Sequence, residues 1–203
     1  MIADLHSLRK KSPKLVKVVQ YATPALPDLN VESWKMNEFK YYEVPSPFPT
    51  LARGLFSFKE PGDEPRYRIV ARGYDKFSTS VRSHGRPCVC SSFSRPLEIS
   101  LPFHQLSSLE AHTKPPYTLT LKSNGCIIFI ATLSPSKLLV TSKHSLGPVQ
   151  GVTESHAQVG QRWLHRHLEQ AGKTSEQLAE TLYGENWTAV AEVRRLKYLN
   201  HAI

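Results

Sequence analysis

The hydrophobic pattern changes character around residues 117–130. Tyr117-Thr118-Leu119-Thr120-Leu121 alternates apolar and polar residues and is rich in β-formers, which predicts a strand with one buried face. Lys122-Ser123-Asn124-Gly125 breaks that alternation. Asn124-Gly125 is a strong turn dipeptide, because both residue types tolerate positive φ. Cys126-Ile127-Ile128-Phe129-Ile130 is then continuously apolar, as expected of a strand covered on both faces. The predicted hairpin sets Lys122 at the mouth of a hydrophobic sheet.

The rest of the chain is read in the same way. Asp4 to Val19 has apolar residues at Leu5, Leu8, Leu15, Val18 and Val19; it is expected to be a short amphipathic helix interrupted by Pro13. Trp34 to Tyr42 mixes aromatic and basic residues, a pattern of either a base-stacking surface or, the reading favoured here, core. Leu51 to Phe58, with Arg53-Gly54 inside it, and Arg68 to Ala71 are predicted to pair as a hairpin across the polar turn at Pro61-Gly62. Leu138-Leu139-Val140 is a further buried strand. His156 to Glu169 gathers Ala157, Val159, Trp163, Leu164 and Leu168 on one helical side, with Gly172 ending the helix. Thr174 or Ser175 caps a second helix to Leu182 or Tyr183. Thr188 to Glu192 is a strand delivering a carboxylate. The fold class expected is α+β with an antiparallel sheet.

Composition narrows the setting. The chain has 203 residues, enough for one domain with a real core. It has no apolar run long enough to span a bilayer, and MIADLHSLRKKSPK lacks the apolar core of a signal peptide. Three cysteines, Cys88, Cys90 and Cys126, fit a reducing, intracellular compartment, nuclear or cytoplasmic. Cys88-Val89-Cys90 has the wrong spacing for half a zinc site, and no metal is expected there. The net charge of +9 favours a polyanionic partner, since neutralised phosphates release counterions.

Lys122 is the candidate reactive group. At its ordinary pKa only about one lysine amine in a few thousand is neutral at pH 7. Partial burial or a nearby cation lowers that pKa and frees the lone pair for attack on a carbonyl or a phosphorus. A solvated lysine at a hairpin end is the plain alternative.

Lys122-Ser123-Asn124-Gly125 between two such strands resembles motif I, K-x-x-G, of the covalent nucleotidyltransferases: the ATP-dependent RNA and DNA ligases and the capping enzymes. Val140-Thr141-Ser142-Lys143-His144-Ser145 resembles motif Ia of the phage type of RNA ligase. Arg72-Gly73-Tyr74-Asp75-Lys76-Phe77 resembles the segment upstream of motif I, and Thr188-Ala189-Val190-Ala191-Glu192 resembles motif III. Ser33-Trp34-Lys35-Met36-Asn37-Glu38 and Ala52-Arg53-Gly54-Leu55-Phe56 resemble the N-terminal region of the fungal tRNA ligases. The matches come in family order.

The resemblance implies an antiparallel-sheet nucleotidyltransferase fold, the DNA/RNA ligase adenylation fold, here incomplete. It implies ATP and Mg²⁺ as cofactors, tRNA exon halves as the RNA partner, and a monomer. Lys122 would be the catalytic nucleophile, forming a lysyl-AMP phosphoramidate. Arg53, Lys76, Phe77, Asn124, Gly125, Lys143 and Glu192 would bind the nucleotide, with Arg53 and Lys76 at its phosphates. A non-catalytic basic RNA-binding module is the main alternative, and a β-rich domain in which Lys122 is incidental is a second.

Two segments depart from the family pattern. Ser78 to His104 is rich in serine and proline and has no clear period. Ser78-Thr79-Ser80-Val81-Arg82 is encodable by codons that, read one base earlier, give Phe-Asn-Val-Gly-Glu. The segment is therefore expected to be out of frame or intronic and, if genuine, a disordered insertion. After Glu192, residues 193–203 lack the carboxylate of motif IV and the lysines of motif V, as expected of a truncated ligase domain whose own AMP transfer is impaired. The organisation expected is an N-terminal basic and aromatic region over 1–50, a nucleotidyltransferase core over 51–77 and 105–192, the aberrant insert 78–104 and the aberrant tail 193–203.

Overall fold

The computed structural model describes residues 1–23, 26–41, 43, 45–62, 65–75, 113–116, 118 and 124–194. The expected Tyr117–Leu121 strand apart from Thr118, together with Lys76, Phe77, Lys122, the 78–104 segment and the tail beyond Arg194, lies outside the described residues.

The chain opens with helix α1 (Ile2–Lys11), then strands β1 (Val16–Thr23) and β2 (Leu26–Met36), and a 3₁₀ turn at Glu38–Lys40. Strands β3 (Leu55–Lys59) and β4 (Tyr67–Arg72) follow. Then come β5 (Cys126–Ser134), β6 (Lys137–Ser142), α2 (His156–Gln170), α3 (Ser175–Gly184) and β7 (Ala189–Val193). One antiparallel sheet runs β1-β2-β3-β4 and a second runs β6-β5-β7. The α+β class with antiparallel sheets is therefore as expected.

Three cores order these pieces into layers. Ile2, Leu5, Val16, Trp34, Met36 and Leu55 join α1 to the outer face of the first sheet. Val31, Phe56, Phe58 and Val70 meet Phe129, Ala131, Leu133 and Leu139 between the two sheets. Ile128, Ile130 and Val140 pack with Leu182 and Leu164 of the helices on the far side of the second sheet. The continuous apolar run of β5 follows from this arrangement: its odd positions face the first sheet and its even positions face the helices.

Local signals account for most boundaries. Ser155 caps α2 and Thr174 caps α3, each in a reciprocal capping box with a glutamine three residues on, satisfying amides that the helix itself leaves free. The N-terminal expectation needs correction. The helix ends at Lys11, two residues before Pro13, and Val16 to Val19 belong to β1. Proline removes a donor and clashes with the preceding turn. No periodicity announces β1 and β2; β1 pairs with β2 and β2 with β3, so residues 16–36 share a sheet with β3 and β4. Trp34 is fully buried, with Nε1 donating to Ser57 Oγ at 2.8 Å. Trp34, Met36 and Tyr41 are core, as favoured for the Trp34–Tyr42 stretch, whereas Phe39 departs from that reading and is 94% exposed.

Arg53-Gly54 precedes its strand rather than lying inside it. Gly54 has φ +95°, a left-handed conformation that interrupts the ladder before Leu55 and sits easily only on glycine. Gly125 also departs from expectation, since its φ is not positive. A Cβ there would lie 2.4 Å from the Val193 carbonyl oxygen, so the position is small because β7 passes against it.

Candidate active site

Beyond Phe129 the two sheets part at one end and leave a cleft of about 460 Å³, within the range of ligand pockets. Arg53 and Tyr74 line it from the first sheet's connections. Asn124, Gly125 and Ile127 line it from the start of β5, and Val190, Ala191 and Glu192 from β7. β7 holds Glu192 directly opposite Ile127 in the antiparallel register. Alternation then puts Glu192 and Val190 on the face that looks toward the first sheet. Three widely separated segments of the chain thus deliver a guanidinium, a carboxylate and an Asn-Gly backbone to one place.

Arg53 is held by its neighbours. Its amide donates to the Tyr74 carbonyl at 2.8 Å, beside the Ala52–Asp75 bridge. Its Nε is buried and has no hydrogen-bond partner among the described residues. A buried N–H of a permanent cation left unpaired is costly, and an anion bound in the cleft would relieve that cost.

Lys143 is placed differently. Its carbonyl oxygen lies 3.0 Å from where a Cβ of residue 54 would stand, so its backbone runs beside Gly54. Its amine pairs with the Glu38 carboxylate and is not among the cleft-lining groups. Of the expected nucleotide-binding residues, the structure brings Arg53, Asn124, Gly125 and Glu192 together and sends the Lys143 side chain to the 3₁₀ turn. Lys76, Phe77 and the expected nucleophile Lys122 lie outside the described residues; Lys122 precedes Asn124 by two positions in the chain. Tyr74, 66% exposed at the cleft, carries no role in the motif reading; its exposure beside Arg53 appears only once the strands are in place.

The loop after β6 is anchored through His144. The His144 carbonyl accepts from Ser33 Oγ at 2.8 Å and from Tyr21 Oη at 3.2 Å. Burial, then the charges of Lys143 and Lys35, lower the imidazole pKa to about 4. The unfolded chain holds its histidine near the ordinary value of about 6.5, so it takes up a proton that the folded state refuses. Stability from this group is complete above pH 6.5 and is lost as pH falls toward 4. Allowing for solvent screening, the loss is on the order of 1–2 kcal/mol. Urea unfolding at pH 7.5 and pH 4.5 should show it, with a shallower pH dependence in His144→Gln.

Among the described residues no group of three His, Cys, Asp or Glu side chains is arranged to hold a metal, and no helix is long and apolar enough to cross a membrane.

A family model described as RNA ligase matches residues 51–203. The chain belongs to the RNA ligase family. This family member is 43% identical over 155 residues to tRNA ligase 1 of Schizosaccharomyces pombe, a stretch covering 76% of the chain and 17% of that protein. It is 29% identical over 210 residues to the tRNA ligase of Candida albicans, covering 96% of the chain and 22% of that protein. The RNA ligase chain thus spans about a fifth of the length of these curated relatives.

Proposed function

We propose that this chain carries adenylyl-transfer machinery of an ATP-dependent RNA ligase of tRNA splicing, with Lys122 as the nucleophile. The observation that supports the reading best is the cleft between the sheets, where Arg53, Asn124-Gly125 and Glu192 meet around a buried guanidinium N–H with no partner among the described residues. Membership of the RNA ligase family and the similarity to two fungal tRNA ligases supply the reaction class.

In this reading the neutral Lys122 amine attacks the α-phosphorus of ATP. An N–P bond forms, the P–O bond to pyrophosphate breaks, and the amine proton passes to solvent. An RNA 5′-phosphate oxygen then attacks the same phosphorus, the N–P bond breaks and the amine regains a proton; a 3′-hydroxyl next attacks the RNA 5′-phosphorus, closing the phosphodiester and releasing AMP. Transfer of this kind depends on charge neutralisation and in-line positioning. Arg53 meets phosphate oxygens from the first sheet's side, where its Nε has no competing partner among the described residues. Tyr74 offers an exposed ring at the cleft rim. Glu192 accepts from the ribose or holds part of the shell of a Mg²⁺ ion, which uses few protein carboxylates together with substrate phosphates. Bound there, Mg²⁺ would neutralise charge on the pyrophosphate leaving group.

Incubation with ATP labelled at the α-phosphate and Mg²⁺ tests the proposal. Label on the protein that survives alkali and is released by acid, as an N–P bond requires, is expected at low yield, and Arg53→Ala should reduce the initial rate by about 10²-fold, the loss typical of one fixed transition-state donor. A salt-dependent RNA gel shift with no labelling would identify the non-catalytic RNA-binding module instead.

A further inference from the structure

We propose that the surface formed by Phe39, Lys17 and Lys35 is a docking site for single-stranded RNA, with a base stacked on Phe39 and backbone phosphates on the two lysines. It is separate from the nucleotide cleft and rests on the RNA ligase reading for its partner class.

Phe39 is 94% exposed. It does not hang from a loose end: the 3₁₀ turn that carries it is capped by Asn37, whose Oδ1 accepts from the Phe39 amide at 3.2 Å. The Asn37 amide in turn donates to the Leu15 carbonyl at 2.8 Å. A phenyl ring fixed in water forgoes burial worth about 1.5–3 kcal/mol, which a stacked base would restore.

The lysines carry the second observation. Lys17 and Lys35 stand directly opposite each other across β1 and β2, and both are exposed. Like charges so placed are destabilising, and neither makes an ion pair among the described residues. Glu38, whose charge acts on His144 as that of Lys35 does, is paired with Lys143.

Register ties the two observations to one surface. Lys17 and Tyr21 alternate onto one face of β1, and Lys35 and Ser33 onto the same face of β2. Tyr21 and Ser33 both reach the His144 carbonyl. The lysine pair therefore adjoins the 143–146 loop, whose Lys143 amine grips the residue preceding Phe39. Paired cations beside a fixed, solvated aromatic ring fit a strand of nucleic acid, because every base offers a π-face and every linkage an anion.

Fluorescence anisotropy with a labelled single-stranded RNA of about 12 nucleotides, inside the usual site size, tests the docking site on the whole chain. Phe39→Ala should weaken binding about tenfold and Phe39→Trp should restore it. Lys17→Gln with Lys35→Gln should reduce the slope of log K against log salt by about 1.4, two phosphates at about 0.7 each. Arg166→Ala, on the other side of the molecule in α2, should change neither. Thermal melting should leave all variants folded, since each side chain replaced in the patch is exposed. The proposal is overturned if wild-type chain does not bind the RNA, if an abasic phosphate strand or polyglutamate binds equally well, or if Arg166→Ala weakens binding and Phe39→Ala does not. ATP labelling separates this result from the ligase reading. Label with Phe39-independent RNA binding sinks the docking site alone. Phe39-dependent binding without label leaves the docking site and removes the enzyme.

Discussion

Lys122→Ala should reduce ATP-derived labelling to background, and Lys122→Arg should do the same. Alanine leaves no amine, and no neighbouring hydroxyl is a comparable nucleophile at neutral pH. Arginine keeps the charge and approximate length but remains protonated at any working pH, so it has no lone pair to offer. The pair of substitutions therefore separates nucleophilic chemistry from simple phosphate attraction. If Lys122 only attracted phosphate, Arg would retain label and Ala would lose it. If Lys122 were a solvated hairpin residue, both would label like the parent chain. The cleft gives the experiment its internal control. Arg53→Ala should slow labelling without abolishing it, because Arg53 stabilises charge and forms no bond to phosphorus. Mass of the labelled peptide places the adduct; AMP on a peptide lacking residue 122 would assign a different nucleophile.

What was legible beforehand, and what was not, follows from the kind of signal each element carries. β5 announced itself because both of its faces are covered, by Phe56 and Phe58 on one side and Leu164 and Leu182 on the other. α2 announced itself through its apolar side and the glycine that follows it, and α3 through its capping threonine. β1 and β2 did not. Residues 31–34 of β2 are buried on both faces, with Trp34 and Glu32 on one and Val31 and Ser33 on the other, and the polar ones are held by a hydrogen bond or by an ion contact such as His6 to Glu32 at 3.2 Å, so the apolar alternation is erased. Pro27, within β2, added a false loop signal. The site divides similarly. Arg53, Asn124, Gly125 and Glu192 were reached through motif resemblance, since nothing in their spacing shows that Ile127 pairs with Glu192. The Lys143–Glu38 pair was invisible because its partners are 105 residues apart. Tyr74 entered only through geometry.

Gly54→Ala should be among the most damaging single-methyl additions to this protein, costing roughly 2–6 kcal/mol, the sum of a forced backbone and an overpacked contact. The first part is conformational. At φ +95° any side chain is strained, and this part is independent of what surrounds it. The second part is steric. The added methyl carbon would stand 2.4 Å from Phe129 Cε2 and 3.0 Å from the Lys143 carbonyl oxygen. Phe129 is fully buried at the centre of the core between the sheets, so its ring has nowhere to retreat without opening that core. The consequence reaches function because Gly54 follows Arg53. A shift of the 52–54 segment would move the guanidinium out of the cleft and break the Arg53 amide's bond to Tyr74. A double-mutant cycle separates the two parts. Phe129→Leu alone should destabilise through lost packing. Combined with Gly54→Ala, it should recover the steric share and leave the backbone share of about 1–3 kcal/mol. Urea midpoints for the four proteins measure this. Strict additivity would mean that the Phe129 contact does not limit residue 54, and an unchanged midpoint in Gly54→Ala would mean that the segment does not pass through the left-handed conformation at all.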